Sequence, residues 1–275
     1  MNNGALLYSN KEIKRMARAA LAKKGALLKL IFAIFLCAVI RFGTELAAAS
    51  VYSAAVLVLP DSGGFLDFFI TLAIRVLSVF FMAPAVLGTF RLASMLSSGE
   101  DAPLTEMFLY FSPRKYFRAL GAYLIAALPI EIYLFIAELT LSLVAYVAEL
   151  LALDAVWSDG VSSFIAASFA VAAVALFLPY CRLFSVLAAT VNGEGQRLSS
   201  CVRAATRATR GNVFRIFGLA FSFVPLILLS LLTVGILLFA FTLPYMLLSY
   251  FYFNDVLFGK DPKPQITEEV TFDER

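Results

Sequence analysis

Residues 26–59, ALLKLIFAIFLCAVIRFGTELAAASVYSAAVLVL, decide the fold class. The only charges among them are Lys29, Arg41 and Glu45. A helix crosses hydrocarbon with about 20 mostly apolar residues, so this stretch spans a bilayer with length to spare. It opens after a basic segment and closes at Pro60-Asp61-Ser62-Gly63-Gly64, which has the chemistry of a turn. Working outward, comparable apolar runs occupy 65–92, 117–151, 161–190, 212–232 and 236–257. Asp154 to Gly160 and Thr233-Val234-Gly235 separate the later pairs. The expected architecture is all-α. It is a polytopic membrane helix bundle of six transmembrane helices arranged as three hairpins, in a single domain over residues 1–258. The tail at 259–275, with Pro262, Pro264 and Glu268-Glu269, reads as solvated and disordered.

Composition agrees. Of 275 residues 61% are hydrophobic and 15% charged, with a mean hydropathy of +0.88; soluble domains carry about a quarter charged residues. A net charge of +3 is too small to suggest nucleic acid as a partner. Histidine is absent, which removes Ser-His-Asp hydrolysis, Cys-His proteolysis, HExxH zinc chemistry and haem held by His. Cys37, Cys181 and Cys201 give no disulfide framework. There is no phosphate-binding glycine loop, metal-ligand cluster or nucleotide fingerprint, so no cofactor is expected. The first apolar run follows a long basic segment with no cleavage site, and it reads as a retained anchor rather than a signal peptide.

The cations set the orientation. Lys11, Lys14, Arg15, Arg18, Lys23, Lys24 and Lys29 gather before and at the start of the first run. Arg91, Arg114, Lys115 and Arg118 flank the second connection, and Arg197, Arg203, Arg207, Arg210 and Arg215 the fourth. Lys260, Lys263 and Arg275 lie in the tail, and the three opposite turns carry no cation. The positive-inside rule then places both termini in the cytoplasm of a cell-membrane protein.

Each hairpin is preceded by a segment that reads as an interfacial amphipathic helix. In 9–24, Ser9-Asn10-Lys11-Glu12 forms a capping box. Ile13, Met16, Ala17, Ala20 and Leu21 line one face, and Gly25 reads as the C-cap. In 103–112 the stripe is Leu104, Met107, Phe108 and Phe111; in 196–210 it is Leu198, Cys201, Val202 and Ala205, followed by Gly211. Gly25, Arg118 and Gly211 open the hairpins at equal spacing, a faint sign of internal repetition.

Short motifs resemble a bacterial membrane family catalogued as domain of unknown function 975. They include Arg210-Gly211-Asn212-Val213-Phe214-Arg215-Ile216-Phe217, Leu232-Thr233-Val234-Gly235-Ile236, Pro244-Tyr245 and Phe251-Tyr252. Pro84 with Gly88, Ser98-Gly99-Glu100, Leu104-Thr105-Glu106-Met107-Phe108 and Lys24-Gly25 also fit its pattern. The chain departs from it at Val191-Asn192-Gly193-Glu194, where the family often has an Asp-rich turn, and in lacking a Trp after the third amphipathic helix. The resemblance implies an integral membrane protein and brings no activity with it.

Ionisable side chains inside hydrocarbon are costly and often functional. Counted at about 1.5 Å per residue from the basic collar, Arg41 and Glu131 lie near mid-membrane. Glu45 and Arg75 lie deeper, level across the Pro60–Gly64 turn. The expectation is a buried, net-neutral network of Arg41, Glu45, Arg75 and Glu131. Candidate contacts to anionic lipid headgroups are Arg182, Arg203, Arg207, Arg210 and Arg215. Tyr245, Tyr250, Phe251, Tyr252 and Phe253 read as an interfacial anchor. Pro84, Pro129, Pro179, Pro225 and Pro244 are expected to kink their helices. No catalytic set emerges. The leading expectation is a non-enzymatic membrane-organising or accessory component, whose partners are membrane lipids and a protein partner or a second copy of the chain. A small transporter or channel component using the buried charges comes second. A lipid-handling enzyme using Glu131 and Glu138 comes third.

Overall fold

The computed structural model describes residues 8–58, 63–150, 155–193 and 195–259, and no strand occurs among them. The helices are α1 (Asn10–Leu21), α2 (Ala26–Val58), α3 (Gly63–Ser98), α4 (Pro113–Leu150), α5 (Ala155–Asn192), α6 (Leu198–Thr209), α7 (Val213–Phe221), α8 (Val224–Leu232) and α9 (Leu243–Leu257). A 3-10 segment (Leu104–Phe111) precedes α4 and a π turn (Leu238–Thr242) precedes α9. Four stretches are long and apolar enough to cross a membrane: Ala26–Ala55, Leu72–Ser98, Pro113–Leu141 and Val213–Leu232. The expected turn residues 60–62 and 154, and the tail from 260, lie outside the described residues.

α2 packs along α3, and α4 along α5, as two long helical pairs. One end of these pairs is tightly packed. Leu30 and Ala33 of α2, Leu87 and Leu92 of α3, Ala119 and Ala122 of α4, and Leu187 of α5 share a core with Leu248 and Phe251 of α9. This is the end that carries the cations. Towards the other end the pairs turn large apolar side chains outward: Phe42 is 71% exposed, Leu57 85% and Phe164 75%. An apolar surface of that extent belongs in hydrocarbon rather than water.

The prolines act in two ways. Pro84 and Pro129 lie inside α3 and α4, which continue through them. Proline leaves the carbonyl four residues earlier without its donor; for Pro84 that carbonyl belongs to Phe80, and the Tyr116 hydroxyl donates to it at 3.0 Å. Pro225 and Pro244 instead stand in the first turns of α8 and α9. The run 212–232 is therefore two helices with a break at Ser222–Phe223, and 236–257 is interrupted by the π turn.

Three sequence expectations change. The segment 103–112 is a 3-10 helix, so its buried residues, Met107 and Tyr110, follow a spacing of three. Leu104, Phe108 and Phe111, expected on the same stripe as Met107, face outward. Gly25 does not cap α1, which closes at Ala22; with φ of +81° it turns the chain into α2, where its carbonyl accepts the Lys29 N–H. The apolar faces of α1 and α6 are buried by protein rather than laid on a membrane surface. Ile13 and Ala17 have no exposed area beneath α9 and its neighbours, and Cys201 and Ala205 are sealed against α5.

Candidate functional site

Arg41 lies between two carboxylates. Its guanidinium is 2.9 Å from Glu45 one turn along α2, and 3.9 Å from Glu131 on α4. The first contact is local to the helix; the second ties α2 to α4. The side chains of Arg41, Glu45 and Glu131 are 39%, 47% and 31% exposed, so the group lies on the flank of the bundle and is not sealed inside it. Arg75 is on α3, and its side chain lies outside the described residues, as do those of Glu138 and Arg182. The Cys37 thiol is 3.4 Å from the Thr89 hydroxyl. That register sets Glu45 level with Phe81 rather than with Arg75, which stands about 9 Å further along α3 at the helical rise.

A second cationic group forms where α1 crosses α7, α8 and α9. α1 starts with the expected capping box: the Ser9 backbone N–H donates to the Glu12 carboxylate at 2.5 Å, and the Glu12 N–H donates back to the Ser9 hydroxyl. The Ser9 N–H, then its hydroxyl, hold the Glu12 carboxyl below its usual range. Asn10 donates to the Arg215 carbonyl. One turn on, the Lys14 ammonium donates to the Ser222 carbonyl at 3.0 Å and sits 4.2 Å over the Phe223 ring. Ser222 ends α7, where unpaired carbonyls make the helix terminus negative and welcome a cation. Burial, and then the like charge of Arg18, push the Lys14 ammonium below its ordinary value. Arg18 donates to the Tyr245 hydroxyl at 3.0 Å and stacks over its ring.

The expected headgroup contacts divide. Arg203 and Arg207 on α6, and Arg210 at its C-cap, are exposed. Arg215 is engaged by the protein: it donates to the Tyr8 carbonyl at 2.6 Å and lies over the Phe253 ring. The aromatic cluster is also reassigned. Tyr245, Phe251, Tyr252 and Phe253 are 0–3% exposed because α1 and the neighbouring helices cover them, so they are core rather than interfacial anchor.

Sequence reasoning passed over a polar knot at the packed end. Asp255 of α9 accepts from Asn192 of α5 at 3.1 Å and from Ser97 of α3 at 3.3 Å, and Ser94 donates to Asn192 at 2.9 Å. Asp255 is 7% exposed. Nearby, Arg118 of α4 donates to the carbonyls of Thr190 and Gly193. Asn254-Asp255 near the end of a long apolar run was the available signal. The aromatic residues just before it invited a reading as membrane anchor, which hid it.

These groups fasten helices; none sets a nucleophile against a base. Among the described residues no three His, Cys, Asp or Glu side chains cluster as a metal site would require. No curated protein and no solved structure matches the chain. The segments that meet at the sites above, from α1 through the 3-10 segment to the end of α9, fall within one family match. It spans residues 1–258, and the chain therefore belongs to the family described as "Protein of unknown function (DUF975)".

Proposed function

We propose that the protein is a non-enzymatic organising or accessory component of the cell membrane. It is rooted by three hairpins whose basic ends, with both termini, face the cytoplasm. The observation that carries this reading is the asymmetry of the fold. A core laced by hydrogen bonds lies at the cation-rich end, and beyond it the two helical pairs turn large apolar side chains outward. Flanks of this kind suit lipid chains, a partner's helices or a second copy of the chain. Arg203 and Arg207 on α6 and Arg210 at its C-cap, all exposed, suit anionic headgroups of the inner leaflet.

Native mass spectrometry of the protein released directly from its membrane tests this reading. Retained anionic lipid, or a stoichiometric protein partner, is the expected result. A second reading, a small transporter component, is favoured by the flanking charges Arg41, Glu45 and Glu131. Solute or proton flux across vesicles holding the purified protein alone, abolished by Arg41→Gln, would replace the first reading with the second.

A further inference from the structure

The geometry points to a third hairpin, α8 with the π turn and α9, that enters the membrane from the basic side and turns back at mid-depth. Its surface is fitted to the acyl chains of a single leaflet. This inference rests on the reading that the basic end faces the cytoplasm.

α1 fixes the level. Lys11 and Arg15 are exposed on it, and a helix so charged lies in water or among headgroups, not in hydrocarbon. Its other cations reach one side-chain length to Ser222 at the α7–α8 break and to Tyr245 near the start of α9. Both legs of the hairpin are therefore pinned close to the membrane surface. From Phe223 up to Val234, and from Val234 down to Tyr245, the chain runs eleven residues each way. At the helical rise that is about 16 Å, half of a hydrocarbon layer about 30 Å thick. The tip falls at the midplane.

The tip is built for such a place. No charged residue, Asn or Gln occurs from Phe223 to Phe241, whereas the other two hairpin turns contain Asp. Leu231, Leu232, Val234 and Ile236 are 69%, 81%, 92% and 73% exposed. Backbone exposed to lipid must satisfy its own donors, and this turn does. Thr233 and Gly235 donate to the Ser230 carbonyl, Val234 to Leu231, Ile236 to Thr233 and Leu238 to Gly235. The Leu237 N–H donates to the Thr233 hydroxyl, and Ser230 and Thr242 pair their hydroxyls across the legs. By length and composition Val213–Leu232 is long enough to cross. The break at Ser222, held at the level of α1, assigns α7 to the interface and leaves α8 only half a membrane deep.

Single cysteines in a chain lacking Cys37, Cys181 and Cys201 test this, using a membrane-impermeant maleimide on intact cells and on inside-out vesicles. Val234→Cys is expected to stay at background from both sides, while Trp157→Cys labels from outside and Lys24→Cys from inside. A Val234→Trp variant carrying Trp157→Phe is expected to be quenched most by lipids brominated near the chain ends. Labelling of residue 234 from outside, or strongest quenching by headgroup-proximal bromines, would overturn the half-depth hairpin. Either outcome leaves the accessory reading standing, because that reading fails on the flux experiment.

Discussion

A β-carbon on Gly88 would stand 1.9 Å from the carbonyl oxygen of Met107. The obstacle is backbone, so no rotamer change relieves it. The absence of a side chain on α3 at this point lets the 3-10 segment lie directly on the helix, with Met107 sealed beneath and Arg91 3.6 Å from Glu106 beside the contact. Gly88→Ala should lift the segment and destabilise the protein by about 3 kcal/mol, as severe overpacking does. Denaturant titration of the purified protein in detergent measures it. A change below about 0.5 kcal/mol, within the scatter of surface substitutions, would mean that the two elements are loosely apposed.

The Tyr116 hydroxyl is tied to the proline it faces. It donates to Phe80, the carbonyl that Pro84 leaves unpaired. Tyr116→Phe should cost about 1 kcal/mol, the net worth of one hydrogen bond. With Pro84→Ala, residue 84 regains its N–H and Phe80 finds a partner within α3, so the same change should cost much less. Equal costs in the two backgrounds would break the link.

How much of this was legible in sequence depends on the range of the signal. The long apolar helix from Ala26 and the Ser9–Glu12 capping box are local patterns, and they read correctly. What covers a face is not local. The stripe Ile13-Ala17-Ala20 looks the same whether lipid or α9 lies beneath it. Phe251 and Phe253 look alike as a membrane belt or as core. Arg41 and Glu131 could be matched by depth counting because both sit on regular helices. The same counting set Glu45 level with Arg75, whereas the Cys37–Thr89 contact sets Glu45 nearer the level of Phe81. Asp255 was missed because its partners, Asn192 and Ser97, are 63 and 158 residues away in sequence.

Asp255 takes its place by accepting two hydrogen bonds in a nearly buried site. Asp255→Ala takes the carboxylate acceptor from the Asn192 amide, while the Ser97 hydroxyl keeps the Ser94 carbonyl at 2.8 Å, and should cost about 1–3 kcal/mol. Asp255→Asn keeps the shape and one acceptor and should cost less. Detergent-state unfolding of the two variants side by side checks the order; an equal loss would assign the position to packing alone.

The α1 cap predicts an acid dependence of known sign. Glu12 is held below its usual value in the folded chain, first by the Ser9 backbone N–H and then by the Ser9 hydroxyl. A carboxyl depressed on folding adds stability above its unfolded value, near pH 4, and loses it as pH falls through the lowered folded value. Protection of the α1 amides, taken against their intrinsic exchange rates, should be independent of pH near neutrality and should fall in acid. Ser9→Ala should loosen α1 at neutral pH by about 1 kcal/mol and flatten the acid limb. An acid limb unchanged by that substitution would assign the loosening to another group.

Arg41 meets Glu131 across two helices, and its removal has an asymmetric consequence. In Arg41→Gln the carboxylates of Glu45 and Glu131 lose the cation between them while remaining in a segment surrounded by hydrocarbon, where isolated charge is expensive. In Glu131→Gln the Arg41–Glu45 pair at 2.9 Å survives, so the loss should be smaller. The double variant should recover part of the first penalty, giving a coupling of about 1 kcal/mol in a double-mutant cycle. Strictly additive effects would show that the 3.9 Å approach holds no energy. α2 and α4 would then be held together by apolar packing at the basic end alone.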